Sequence, residues 1–115
     1  MEFTVRPEMA NPAGLLHGGM QCAMIDEVIG MTAATLGRDG FYVSLDLHVD
    51  YLEKAKVGDQ VTAKSRILRK GQQILHAQCD LFDAGGKLIS RGSSNLFKSS
   101  LTPFQEKPGT PLKNE

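Results

Sequence analysis

Between Gly19 and Leu36 the chain carries Met20, Ala23, Met24, Ile25, Val28, Ile29, Met31, Ala33, Ala34 and Leu36, spread almost all round a helical wheel. A helix apolar on most sides is expected to be buried on most sides. At helical rise it runs to about 27 Å, the span of a small domain, and Gly37 stops it. Such a helix needs a cover, and the following residues supply one. Phe41, Val43, Leu45, Leu47, Val49 and Tyr51 alternate with Tyr42, Ser44, Asp46, His48 and Asp50, the period of two of a half-buried strand. Val61, Ala63 and Ile67 alternate with Thr62, Lys64 and Arg66, and Leu75, Ala77, Cys79 and Leu81 with His76, Gln78 and Asp80. Lys70-Gly71 and Asp83-Ala84-Gly85-Gly86 have hairpin-turn chemistry, the second leading to a last strand over about Lys87 to Lys98. A short strand over Glu2 to Arg6, ended by Pro7, precedes the helix. The order is strand, helix, then four hairpin-linked strands. The expected class is α+β, an antiparallel sheet curled round one central helix.

The 115 residues suffice for one domain, expected over 1–98. Residues 99–115, with Pro103, Pro108, Gly109 and Pro111, have too little apolar content to pack and are expected to form a mobile tail. Thirteen Lys and Arg balance thirteen Asp and Glu, which argues against a nucleic-acid binder relying on a general basic field. No apolar run approaches the roughly 18 residues of a membrane span, and the first residues lack a signal-peptide layout. Cys22 and Cys79 make neither a disulfide framework nor a metal site, and fit a reducing compartment, the cytoplasm. A sheet this small has open edges and buries only about 60–65% of its unfolded surface, so a homodimer is the default expectation.

Chemistry is concentrated where the loop Asn11-Pro12-Ala13-Gly14-Leu15-Leu16-His17-Gly18-Gly19 enters the helix. Two glycines at a helix start let a ligand approach backbone N–H groups closely, and the helix dipole favours an oxyanion or polarised carbonyl there. The competing account is that they relieve crowding against the sheet. Asp26, on a helix expected to be buried, would cost on the order of several kcal/mol unless paired or hydrated. Beside a cleft it would be a nucleophile or general base. Equally, Asp26 and Glu27 could pair with cations at a subunit interface. His17 alone is more often a structural hydrogen bonder, and Ser44 has no activating neighbour in sequence.

Together, Asn11, His17-Gly18-Gly19 and Asp26, nine places after the histidine, resemble the hotdog-fold acyl-CoA thioesterases, on the branch that includes phenylacetyl-CoA thioesterase and medium- and long-chain relatives. The resemblance runs from about Phe3 to Lys98 and takes in Tyr42 to Leu52, Gly58-Asp59 and Arg91-Gly92. It implies hydrolysis of an aryl- or medium- to long-chain acyl-CoA to acid and CoA, without metal or added cofactor. It implies a homodimer, or a tetramer built from it, with active sites across the interface. Carried over by position, Asp26 is the catalytic carboxylate, the Gly18 N–H polarises the thioester carbonyl, Asn11 and His17 orient it, and Ser44 positions water. Met24 and Met31 would line the acyl pocket, and Lys70, Arg69 and Arg91, at or near strand ends, are candidates for the CoA phosphates. Members of the family commonly begin with a further helix, for which Asn11 comes too early here, so the pocket walls are expected to differ. The competing functions are a non-catalytic acyl-CoA-binding protein, a hydratase, which would want a second histidine near the helix, and a purely structural dimer.

Overall fold

Helix α1 (Gly18–Ala34) begins where His17 turns its Nδ1 back to accept the Gly19 N–H at 3.0 Å. It ends at Thr35, whose hydroxyl bonds the Thr32 carbonyl, followed by Gly37 in the left-handed region at φ 67°. The computed structural model describes residues 1–38 and 40–100. The tail expected over 99–115 lies outside the described residues from 101 onward. The helix buries one stripe, Gln21, Met24, Ile25, Val28 and Ile29, and not most of its circumference. The expectation of all-round burial is therefore corrected: one chain's sheet covers one side, leaving Ala23, Gly30 and Met31 exposed. Asp26 and Glu27 are both on the uncovered side, so neither carboxylate faces packed surface.

Strands β1 (Glu2–Thr4), β2 (Phe41–Ser44), β3 (His48–Tyr51), β4 (Gln60–Lys70), β5 (Ile74–Phe82) and β6 (Leu88–Ser99) form one antiparallel sheet. Its order is β1-β4-β5-β6, with β2 and β3 both paired to the far side of β6. The hairpins β4–β5 and β5–β6 fall at the expected turns. The step from β3 to β4 is not a hairpin: residues 52–59 carry the chain from one edge of the sheet to the other. That crossing is tied down by Leu52 N–H to the Ile89 carbonyl and by Gly58, at φ 92°, whose N–H reaches the Val5 carbonyl.

The run from Phe41 to Tyr51 is also not one strand. Ser44 pairs with Leu96 and His48 with Ser93, so Leu45, Asp46 and Leu47 stand opposite only Ser94 and Asn95. This one-residue bulge is held by Asp46, whose Oδ1 accepts the Asn95 backbone N–H at 2.8 Å and Oδ2 the Asn95 side-chain amide at 3.0 Å. Those bonds, the side-chain one foremost, hold the Asp46 carboxyl below the usual range. An extra residue exchanges the faces of a strand. In β2 the even-numbered Tyr42 and Ser44 turn to the helix; in β3 it is Val49, after Leu47. Phe41, Val43 and Leu45, expected in the core, are exposed.

The core lies between the buried stripe of α1 and the inward rows of β4, β5 and β6: Val61 and Ala63, then Leu75, Ala77, Cys79 and Leu81, then Leu96. On β6 the inward row also contains Ser90, Gly92 and Ser94, which lets the helix sit low. A Cβ on Gly92 would come within 2.6 Å of Ile25 Cγ2. Among the described residues, no helix is long and apolar enough to cross a membrane.

Candidate active site

The loop before α1 is tied down at several points. Asn11 Oδ1 accepts the N–H groups of Ala13 and Leu15, at 2.9 and 3.1 Å. Leu16 is buried and donates its N–H to the Ala55 carbonyl, and the His17 N–H bonds the Met9 carbonyl. The helix start is thereby fixed to the body of the fold. Its first amides are then spoken for: Gly19 N–H by His17 Nδ1, and Met20 and Gln21 N–H by the His17 carbonyl. The Gly18 N–H alone of these four has no partner among the described residues, and it lies at the positive end of the helix dipole. The side-chain NH2 of Asn11 is similarly unpartnered among them, while its Oδ1 is engaged. His17, accepting at Nδ1, carries its proton at Nε2 when neutral, so that nitrogen is a second donor on the same exposed rim.

Asp26 is two turns further on and exposed, with Oδ1 accepting from Ser44 Oγ at 3.0 Å. The bulge makes this pair possible, because it turns Ser44 toward the helix. Two depressions adjoin there. One, of about 680 Å³, follows α1 past Gly30 and Met31 to Arg38, facing Phe41 and Val43. The other, of about 460 Å³, runs back past Ala23 and Cys22 to Gly19, over Leu45 and Leu47. Of the two methionines expected to line a pocket, Met31 does so; Met24 is in the core at 4% exposure.

Asp26 and Ser44 thus come together, and His17 and Gly18 adjoin at the helix start with Asn11 held in the loop before it, but the two groups are separate within one chain. Eight helical steps separate Gly18 from Asp26, about 12 Å, too far for both to act on one carbonyl. The three cations expected near CoA phosphates are dispersed. Arg91 forms a two-pronged pair with Asp80, at 2.8 and 3.0 Å across β5 and β6. Arg69 borders a separate hollow with His76 and Asn95. Lys70 is exposed at the end of β4. Burial first, and then the neighbouring Asp80, pushes the Cys79 thiol up to about 11. Among the described residues, no group of three or more His, Cys, Asp or Glu is arranged to hold a metal ion.

Two residues at the site carry no local signal in sequence. Arg38 closes the far end of the larger groove, held by the Gly71 carbonyl at 2.7 Å and the Tyr42 hydroxyl at 3.2 Å. Tyr51 reaches from β3 to the helix start, its hydroxyl 3.1 Å from the Gly18 carbonyl and 2.9 Å from Cys22 Sγ. Only the facing of β3 could have revealed these contacts, and the bulge hides that facing.

The family model for the thioesterase superfamily matches residues 13–90. Acyl-coenzyme A thioesterase 13 of Mus musculus is 32% identical over 92 residues, 79% of this chain and 66% of the mouse protein. This chain thus spans just under two thirds of the length of that relative. Thioesterase superfamily member 2 of zebrafish superposes with a TM-score of 0.81 at 29% identity, over 85% of this chain and 72% of that one. A phenylacetic acid degradation-related protein of Ralstonia eutropha superposes at 0.78 and 26% identity, over 84% and 72%.

Proposed function

The chain belongs to the thioesterase superfamily, and on that premise we propose that it hydrolyses an acyl-CoA thioester to CoA and a free carboxylic acid. The observation that carries the proposal is the Asp26–Ser44 pair at the meeting of two depressions, complemented by a Gly18 N–H without a partner among the described residues. Since about 12 Å of helix separates Asp26 from its own Gly18, the working site is shared between two copies of the chain. One subunit supplies Asp26 and Ser44, the other Asn11, His17 and Gly18. The exposed Phe41 and Val43 on β2, with Leu45 just beyond it, supply apolar surface for that homodimer.

In this arrangement the Gly18 N–H, backed by the helix dipole, takes up negative charge on the thioester oxygen as it develops. Ser44 keeps its proton and donates a hydrogen bond to Asp26 Oδ1, leaving Oδ2 to take a proton from water. The water oxygen bonds to the carbonyl carbon, the carbon–sulfur bond breaks, and the proton passes to the departing CoA thiolate. A thioester is reactive enough that a carboxylate and an oxyanion donor suffice without metal or cofactor. The largely apolar groove past Met31 takes the acyl group, aryl or medium to long chain. The CoA phosphates stay near the surface within reach of Arg69 or Lys70, with Arg91 engaged by Asp80. The free thiols Cys22 and Cys79 are compatible with a cytoplasmic enzyme.

Thiol release from acyl-CoAs running from acetyl to palmitoyl, with phenylacetyl and benzoyl, tests the reading directly. Asp26→Asn should lower turnover by about 10²–10⁴-fold, as expected for a lost general base, while chromatographic size and circular dichroism stay unchanged. Unaltered turnover in that variant would remove Asp26 from the mechanism. Wild-type protein that binds these thioesters without hydrolysing them would make the chain an acyl-CoA-binding protein.

A further inference from the structure

Two peptide planes meet at Gly18. The first, between His17 and Gly18, carries the free N–H; its carbonyl accepts the N–H groups of Met20 and Gln21 at 3.0 and 3.1 Å. The second, between Gly18 and Gly19, gives its N–H to His17 Nδ1 at 3.0 Å and receives the Tyr51 hydroxyl on its carbonyl at 3.1 Å. Paired glycines have the widest backbone freedom of any residues, so rotation at Gly18 is the soft motion that would swing the free N–H off target. The other bonds that oppose it arise within the helix start, among them the helical one from the Cys22 N–H to the Gly18 carbonyl. The Tyr51 bond alone of those described comes from the sheet, from a residue 33 positions away.

We propose that Tyr51 is a positioning residue for the Gly18 N–H: its hydroxyl fixes the Gly18–Gly19 peptide against the sheet and so aims the neighbouring amide at the thioester oxygen. The inference rests on the reading of that N–H as the oxyanion donor. Close approach is built in, because a Cβ on Gly18 would stand only 3.3 Å from Tyr51 Cζ and Oη. The proton inventory agrees. A phenol has one hydrogen and a carbonyl has none, so the Tyr51 hydrogen lies toward Gly18. The 2.9 Å contact with Cys22 is then the thiol donating to the phenol oxygen. Cys22, one helical turn beyond Gly18, thereby orients the hydroxyl.

Tyr51→Phe keeps the ring beside Gly18 and deletes only the hydroxyl. The expected result is a fall in kcat of about 10-fold, less than the loss of a whole oxyanion donor, with KM changed less than twofold. Amide hydrogen exchange at Gly18 and Gly19, followed by NMR, should quicken in the variant, a readout that does not depend on turnover. An unchanged kcat in folded Tyr51→Phe would overturn the proposal while leaving the thioesterase reading intact. A fall in kcat that came with loss of helical dichroism or of the dimer would assign the hydroxyl to folding and overturn it too. Wild-type protein inactive on every acyl-CoA would overturn the thioesterase reading, and this inference with it.

Discussion

Gly92→Ala tests how closely the helix and the central strand are matched, and what the site owes to that match. The added Cβ would lie 2.6 Å from Ile25 Cγ2 and 3.1 Å from Ile25 Cδ1, with the His48 carbonyl at 3.4 Å. Carbon atoms prefer about 3.5–4.0 Å, so helix and strand must part by roughly 1 Å. The Ile25 methyl at issue is attached directly to Cβ and cannot swing clear. Overpacking of this kind costs about 1–3 kcal/mol, against which replacing glycine returns about 0.4–1 through the unfolded chain. A net loss of about 1–2 kcal/mol corresponds to a melting temperature lower by roughly 4–16 °C for a domain of this size. Ile25→Ala removes the clashing atoms at its own cost of about 2–5 kcal/mol. In that background Gly92→Ala should cost nothing. Urea unfolding of wild type, both single variants and the double variant, at one protein concentration, measures the coupling. Equal cost of Gly92→Ala in both backgrounds would refute the argument. The same shift reaches the chemistry: Ile25 adjoins Asp26, and a helix lifted by about 1 Å would stretch the 3.0 Å bond to Ser44. Gly92→Ala should therefore lose turnover as well as stability.

Further expectations concern the site and its surroundings. Ser44→Ala should reduce kcat by about 10-fold or more, by freeing the Asp26 carboxylate to rotate, with an unaltered dichroism spectrum. At Gly30 an added Cβ would meet nothing within 4 Å, and the position lines the larger groove one turn beyond Asp26. Gly30→Leu should leave stability equal or raised by about 0.5–1 kcal/mol, since glycine is the poorer helix former, while kcat/KM for long acyl groups falls relative to acetyl. Asp80 is held below the ordinary carboxylate range by the Arg91 guanidinium, chiefly through its hydrogen bonds. A lowered folded-state value means that its contribution is complete above the unfolded value, near 3.9, and fades as pH falls through the folded one. Asp80→Asn should accordingly lower the urea midpoint by a constant amount between about pH 5 and 7, and the gap to wild type should close below about pH 4.

What could be read from the chain ahead of the structure divides by the range of the interaction. The helix, the β4–β5–β6 meander and its turns depend on neighbours a few residues apart, and these were legible. The HGG motif and Asp26 were legible because their spacing along one helix is itself the signal. The bulge was not. Residues 41–51 alternate without a break, and only Asp46 gripping Asn95, 49 residues away, shows that a residue is looped out. An unbroken strand that buried Phe41, Val43 and Leu45 would turn Ser44 away from the helix. Its place beside Asp26 followed from the family resemblance and not from periodicity. The apolar breadth of the helix misled for a different reason: surface that lines an open groove has the same composition as core. For the same cause Met24 and Met31, alike in sequence, have opposite placements.

The two exposures of α1 lie on different faces of one rod. Gln21, Met24, Ile25, Val28 and Ile29 hold the fold together, while Ala23, Asp26, Glu27, Gly30 and Met31 look into the open grooves. Changes on the second set touch little of the first, and effects at sites without shared contacts are close to additive. Such a helix is open to variation in what it accommodates while what it supports stays the same. Residues such as Gly30 and Met31 can change bulk and reshape the groove without drawing on the modest stability of a small domain.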